Sequence, residues 1–510
     1  MTAAKKLNLK QKYQYLTRNM DWEPSYQKKS DIFPQEDFEG IKIVDWDGWE
    51  DPFRLTMDSY WKYQAEKEKK LYAIFDAFAQ NNGHQNISDA RYVNSLKLFL
   101  TGVSPLEYAA FQGYSKVGRQ FSGAGARVAC QMQAIDELRH SQTQQHAMSH
   151  YNKHFNGLHD APLMHDRVWF LSVPKSFFDD ARSAGPFEFL TAISFSFEYV
   201  LTNLLFVPFM SGAAYNGDMA TVTFGFSAQS DEARHMTLGL EIIKFMLEQH
   251  EDNVPIVQKW IDKWFWRGFR LLSLVSMMMD YMLPNKVMSW QEAWEVYYEQ
   301  SGGALFKELA RYGIKPPKYQ DVANAAKEHI SHQLWTTFYQ YGHATNFHTW
   351  IPKEEEMQWL AEKYPNTFDK YYRPRFEHWD AQHKKGERFY NNTLPQLCQV
   401  CQVPVLFTKT EDPTSFSHCD TVHEGERYHF CSEACGEIFE DEPAKYVQAL
   451  LPVHQIYQGK SGGPELPQVL SDYYHINIGE DNFDYVGSPD EKRWNEIKGI
   501  KPLNKDTDAA

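Results

Sequence analysis

A chain of 510 residues is too long for one ordinary core and predicts a large principal domain with smaller appendages. Its formal net charge of -15 offers no basic surface to neutralise phosphates, which argues against a nucleic-acid partner. Aromatic residues make up 15% of the chain, more than one core usually needs, and point to extensive subunit interfaces.

The opening residues, MTAAKKLNLKQKYQYLTRN, lack the apolar stretch and small-residue cleavage site of a secretory signal, so a cytoplasmic location is expected. Residues 1–85 show no sustained periodicity except a helical stretch over about 60–77, and read as an arm or packing layer. From residue 89 to about 247, helix-type apolar spacing runs through four long segments. Glycine-containing breaks interrupt it at 122–125 and 214–217, which makes this the candidate bundle. Helical patterns continue over about 253–389. The most apolar stretch, 271–283, is interrupted by Asp280 and too short to cross a bilayer, so it reads as a core helix and no membrane partner is expected.

Within the bundle, Asp136-Glu137-Leu138-Arg139-His140 recurs as Asp231-Glu232-Ala233-Arg234-His235. Each copy places a carboxylate and an imidazole at i and i+3, on one helical face. A single Glu-x-x-His is a weak signal, and a third, Glu426 to His429, occurs in this chain; the repeated five-residue frame is much rarer. A dimetal bundle also needs a lone Glu from each of two other helices. Glu107 and Glu198 fit, because each lies on an apolar stretch where a buried carboxylate is costly unless paired or metal-bound. Residue 122 lies midway between Glu107 and Glu137, and residue 215 midway between Glu198 and Glu232, inside the two breaks. Two hairpins would therefore bring Glu107, Glu137, His140, Glu198, Glu232 and His235 to one level, roughly 20 Å from the turns. Four carboxylates with two imidazoles suit iron or manganese better than zinc.

Asp136, Arg139, Asp231 and Arg234 are placed to orient the two imidazoles through their free N–H groups. The same spacing also describes an ordinary i,i+3 ion pair. Thr202, four residues after Glu198, would put a hydroxyl near the metals to pass protons, or would bond its own helix carbonyl. Val103 and Ala110 flank Glu107, while Phe197 and Phe206 share the third helix with Glu198. They suit the wall of an aromatic substrate pocket, or simply core.

Four of the six cysteines form two close pairs, Cys398-x2-Cys401 and Cys431-x3-Cys435, a spacing typical of one structural zinc held by four thiolates in a reducing compartment. Free buried thiols or another thiolate-bound metal are the alternatives. The stretch YHFCSEACGEIF at 428–439 looks like a YHS-type zinc motif, a strand leading into a helix capped near Ser432. Cys419 reads as a non-ligand, with His418, His423 and His429 leaving mixed coordination open; Cys130 reads as a lone core residue.

Glu107, DELRH at 136–140, residues 198–203 with Thr202, and Gln229 followed by SDEARH together carry a resemblance. Over nearly its whole length the chain resembles the large α subunit of the hydroxylase component of bacterial multicomponent monooxygenases, most closely phenol hydroxylase. Gln144 matches the aromatic-oxidising branch, whereas the methane-oxidising branch has a cysteine there. The resemblance implies a mainly α fold: a ferritin-like four-helix di-iron core with extra helices and a small C-terminal four-cysteine zinc module. It implies two irons per α subunit, diferric at rest, that take up two electrons, activate O2 and convert phenol to catechol, with one oxygen atom leaving as water. By the same resemblance Glu137 bridges the irons, Glu232 shifts its binding mode on reduction, and His140 and His235 each hold one iron. Thr202, Asn203 and Gln229 would line the proton- and effector-sensitive face. Implied partners are β and γ subunits in an (αβγ)2 assembly, a cofactorless regulatory protein, and a reductase carrying FAD and a 2Fe-2S cluster that oxidises NADH. This chain shows no nucleotide-binding fingerprint, consistent with electrons arriving from outside.

Toluene, arene or alkene oxidation by the same family is the alternative activity. A radical-generating di-iron reductase subunit is a more distant one, since its ligand set usually begins with Asp and needs a nearby tyrosine. Iron storage and a ligand-less scaffold fit poorly. The expected organisation is an arm with packing helices at 1–85, the di-iron core at 86–250, a further helical layer at 251–392, the zinc module at 393–451 and an irregular segment at 452–510.

Overall fold

Polar caps start and short breaks end the central helices of this computed structural model, which describes residues 6–33, 38–158, 169–341, 348–387, 394–406, 418–449, 451–455, 458–459, 485 and 487–501. Helix α1 (Met57–Gln80) comes from the expected arm and packs against the bundle. Helix α2 (Ala90–Gln120) starts at Asp89, whose side chain accepts from the Arg91 amide. After a three-residue break, α3 (Ala124–Tyr151) returns antiparallel along it, and the two make the largest helix-helix contact among the described residues.

Four uninterrupted helices are predicted, and the third departs from this. Helix α4 (Ser172–Ser183) precedes α5 (Pro186–Leu190), which begins with proline at its first turn and passes into a π-helical segment, Thr191–Tyr199. The Val200 amide bonds Phe195 O, five residues back, whereas the Leu204 amide bonds Leu201 O, only three back. The chain regains α geometry at α6 (Asn203–Tyr215). A π segment inserts one extra residue per turn and is frequent at functional sites. Nothing in TAISFSFEY distinguishes it from an ordinary apolar helix. Helix α7 (Met219–Gln249) closes the bundle against this segment, where a Cβ on Gly239 would lie 2.3 Å from Ser194 O. Only glycine permits that approach of helix to backbone.

Helix α8 (Asn253–Met277) crosses the outer side of the π segment, and the helix Ile330–Tyr341 packs on it in turn. No single helix among the described residues is long and apolar enough to cross a membrane. The bent pair Pro186–Tyr199 and Asn203–Tyr215 passes that test jointly, but it is core, with Phe195, Leu201 and Leu204 buried completely. Residues 271–283 are likewise buried, as expected of a core helix.

Near the C-terminus, strands β1 (Cys419–His423) and β2 (Glu426–Phe430) form an antiparallel hairpin. Its two-residue turn, Glu424-Gly425, has positive φ at both positions, as the twist of a tight hairpin demands. Helix α9 (Glu433–Asp441) follows, and Ser432 Oγ accepts from the Cys435 amide at its start, the cap expected from the sequence. Most of the segment expected to be irregular, including 461–464, lies outside the described residues. Within it, however, Pro489–Lys498 forms helix α10, capped by Ser488 with Asp490 and Glu491 in its first turn and Gly499 in the left-handed conformation after its last. These are ordinary start and stop signals, and they outweigh the weak apolar periodicity of the stretch.

Candidate metal centre and substrate cavity

Glu107 on α2, Glu137 and His140 on α3, and Glu232 and His235 on α7 meet inside the bundle, all nine-tenths or more buried. They form two groups sharing Glu137: Glu107, Glu137 and His140, and Glu137, Glu232 and His235, with ligand-type atoms inside each group within 4.8 Å of one another. His140 Nδ1 lies 3.6 Å from Glu137 Oε2 and 3.5 Å from Glu232 Oε1. His235 Nδ1 lies 3.1 Å from Glu137 Oε1 and 3.3 Å from Glu232 Oε2. Each of these two carboxylates thus turns one oxygen toward each imidazole, the disposition a bridge between two ions requires.

Glu198, in the π segment, joins neither group. Its carboxylate accepts from Tyr114 Oη at 3.2 Å and from Gln133 Nε2 at 3.0 Å, and Tyr114 also pairs with Ser194 Oγ at 2.5 Å. Gln144 Nε2 donates to Glu107 Oε1 at 3.0 Å. Tyr114 and Gln133 were not among the residues expected here; they lie seven residues after Glu107 and four before Glu137, so the helical spacing that found the acids could also have found them.

The electrostatics are severe. Burial pushes the Glu107 carboxyl up to about 8 and Glu198 well above the usual carboxylate range, the latter with the Glu232 charge adding to the effect. Burial acts the same way on Glu137, but the facing His235 and His140 overcome it and hold its pKa low. Burial would also neutralise the two imidazoles, yet the carboxylates around them raise the pKa of both.

A reciprocal arrangement orients the histidines. His140 Nε2 is 3.2 Å from Asp231 Oδ2 and His235 Nε2 is 3.3 Å from Asp136 Oδ2, so each motif's aspartate serves the other motif's histidine. Arg139 reaches both aspartates, at 3.4 and 3.3 Å, and Arg234 bonds Asp231 Oδ1 at 2.9 Å and also Asp136. The i,i+3 pairs and the role across the two motifs therefore coexist. Helix α1 completes the layer: Gln64 Nε2 donates to Asp136 at 2.9 Å and to Asp231 at 2.8 Å, Tyr60 Oη donates to Asp136 at 2.7 Å, and Lys67 Nζ pairs with Asp231 at 2.5 Å. No motif in α1 announces this, because its partners lie more than seventy residues away in the chain.

The ligand set fits a pair of cations. Glu137 Oε1, His140 Nδ1 and His235 Nδ1 are buried without a hydrogen-bond partner among the described residues, although buried polar atoms are almost always satisfied. Asp136 and Asp231 are matched by Arg139 and Arg234, which leaves the charge of the four glutamates for metal to balance.

On the side away from α1, the carboxylates open onto a cavity of about 80 Å3. Val103, Ala110, Phe197, Phe206, Leu271 and Thr202 are among its lining residues. The four residues expected at a pocket, and Thr202, thus all line this cavity. Asn203 and Gln229 are half-buried and do not line it. Asn203 follows Thr202 at the start of α6, and Gln229 sits on α7 three residues before Glu232.

Cys398, Cys401, Cys431 and Cys435 form a second group of candidate ligands, all buried, with Cys401 Sγ 3.5 Å and Cys435 Sγ 3.7 Å from Cys431 Sγ. Cys419 stands outside it and donates to Ser432 O at 3.2 Å. Cys130 is buried in the core.

Residues 22–250 match the family described as Methane/Phenol/Alkene Hydroxylase, and residues 413–450 match the YHS domain. The chain is 76% identical over 98% of its length, and 96% of the relative's, to the phenol 2-monooxygenase oxygenase component DmpN of Pseudomonas sp. (strain CF600). The chain belongs to the methane, phenol and alkene hydroxylase family. Another member, the oxygenase component α subunit of an alkene monooxygenase system from Xanthobacter autotrophicus, is 28% identical over 84% of this chain and 87% of its own. The crystal structure of xenon-pressurized phenol hydroxylase from Pseudomonas sp. OX1 superposes with a TM-score of 0.93 at 83% identity, covering 96% of this chain and all of that one. Hydroxylase relatives are named as components of larger systems, so this chain too is one component of a multicomponent monooxygenase. The radical-generating alternative finds no support among them.

Proposed function

We propose that this chain is the oxygenase subunit of a phenol 2-monooxygenase, converting phenol and O2, with two electrons from NADH and two protons, into catechol and water. One observation carries the reading: a buried set of carboxylates and imidazoles faces a nearly all-apolar cavity of about 80 Å3, in a chain 76% identical to a phenol 2-monooxygenase oxygenase component. Glu107, Glu137, His140, Glu198, Glu232 and His235 would hold two irons. Iron there would supply the reductive activation of O2.

The chain's own residues do the rest. Asp136 and Asp231 keep each imidazole's Nε2–H engaged, so that Nδ1 faces the ligand cluster. Tyr114 and Gln133 hold Glu198, and Gln144 holds Glu107, limiting how far either carboxylate rotates. Phe197, Phe206 and Leu271 exclude water and pack against the ring, which keeps the aromatic carbon near the carboxylate end of the cavity. Thr202 is the one hydroxyl in that wall among the described residues, placed to hold or pass a proton beside the glutamates. Asn203 and Gln229 belong to the adjoining surface of α6 and α7, which suits contact with a regulatory component.

The four cysteines would hold one structural zinc, since four thiolates leave no open position. Electrons would come from a separate reductase carrying FAD and a 2Fe-2S cluster, and β and γ subunits with a cofactorless regulatory protein would complete the system in the cytoplasm. The test is metal analysis of the hydroxylase with and without Glu137→Ala plus Glu232→Ala, followed by 18O2 labelling of the product. Loss of iron with zinc retained, and one labelled oxygen in catechol, is expected; iron content unaffected by the substitutions would overturn the ligand assignment.

A further inference from the structure

Helix α8 touches two sites that lie far apart in the chain. Leu271, Leu274 and Val275 line the substrate cavity, and Arg267 lies one turn before Leu271 on the same face. Arg267 is only 2% exposed, and its guanidinium ties three elements together. Nη1 donates to Val400 O, inside the Cys398-x2-Cys401 loop, at 2.7 Å. Nη2 donates to Ser176 O on α4 at 2.8 Å, and Nε lies 3.3 Å from Asp180 Oδ2 of the same helix. Helix α4 in turn supplies Pro174 and Phe178 to the cavity wall. Neighbouring contacts reinforce the junction: Trp266 Nε1 donates to Cys435 Sγ at 3.4 Å, and Ser176 Oγ donates to Cys401 O at 3.4 Å. Arg270, one turn further along α8, is fully buried beside Cys431, Cys401 and Cys435.

Two walls of the cavity, α4 and α8, are thus joined through one side chain whose third anchor is the cysteine loop. A guanidinium is a planar fork with donors at fixed angles, so it sets the spacing of the groups it bridges; an ammonium is a point donor on a flexible stem and does not. Close-packed interiors transmit such spacing over a helical turn with little loss. We propose that Arg267, anchored on the four-cysteine module, is a positioning residue that fixes the separation of α4 and α8, so that the module governs which ring substituents the cavity accepts. The proposal rests on the aromatic-oxidation reading above and deepens it.

The test compares wild-type hydroxylase, with its partner components, against Arg267→Lys and Trp266→Phe. The readouts are iron and zinc content, equilibrium binding of the inert ring fluorobenzene to the resting protein, and kcat and KM for phenol and for 4-ethylphenol. In Arg267→Lys, iron content is expected to stay at the wild-type level, fluorobenzene binding and KM for phenol to weaken about five-fold, and the kcat/KM preference between the two phenols to shrink by a similar factor, with kcat for phenol changing less. Trp266→Phe should move the preference in the same direction by about two-fold, since it removes one of the several junction bonds. Should Arg267→Lys fail to accumulate, Trp266→Phe decides alone. A folded variant with wild-type fluorobenzene affinity and wild-type preference between the phenols would overturn the proposal. Failure of the wild type to oxidise phenol would instead sink the functional reading, while fluorobenzene binding would still report on the wall spacing.

Discussion

Gln64 illustrates how much rests on single side chains. Its amide reaches both aspartates that orient the histidines, from a helix that carries no ligand itself. Removing an outer partner of a metal ligand typically lowers metal affinity about 10- to 100-fold. Gln64→Leu is therefore expected to weaken iron retention by that order in competition with a chelator, and unchanged retention would show the bridge to be dispensable. Asp280 makes a different prediction. Its carboxyl accepts from the Trp290 amide at 2.9 Å and from Tyr364 Oη at 2.5 Å, yet burial pushes its pKa from 3.8 up to about 6. A raised carboxyl pKa means that the fold favours the neutral acid, so this contribution to stability is complete below about pH 4 and is lost as pH rises through about 6. The difference amounts to about 3 kcal/mol at most. Asp280→Asn should flatten the dependence of the denaturant midpoint on pH between 4 and 7, where the wild type declines.

At the scale of elements, the contact between α7 and the π segment is the tightest constraint on the site. It holds Glu232 and Glu198 on facing backbones, and Gly239 allows it because a Cβ there would overlap Ser194 O at 2.3 Å. Neither backbone can yield without shifting a glutamate. Gly239→Ala is expected to destabilise the protein by about 1–3 kcal/mol through overpacking and to lower iron content together with it, read by urea unfolding and metal analysis. A variant of wild-type stability would mean that the π segment is more deformable than its packing suggests. The π register itself was not legible in the chain, since one inserted residue changes no composition. The hairpin logic that found the acids survives because the insertion lies within the turn around Glu198, while α6 and α7 still meet at the break near residue 217. Helix α10, by contrast, was legible from its caps and was masked by weak apolar spacing.

For the whole molecule, the two candidate metal sites belong to one packed core, bridged by α8 and α4. Cys398→Ser with Cys401→Ser should release the cysteine-site metal while leaving two irons bound, and should lower the thermal midpoint, because structural metal ligation contributes directly to folding. Loss of iron in that variant would show the sites to be interdependent in folding. The sequence by itself determined the four-helix frame, the two repeated Glu-x-x-His pairs with Glu107 that meet inside it, the cluster of four cysteines and the apolar character of the cavity wall. Each follows from local spacing and from the rarity of unpaired carboxylates in apolar helices. Only the tertiary structure decided the exchange of aspartates between the two motifs, the contribution of α1, the bracing of Glu198 by Tyr114 and Gln133, and the junction at Arg267. Those contacts join residues up to 225 positions apart, and hydrogen-bond geometry between such distant groups exists only once the packing of helix on helix has fixed their positions.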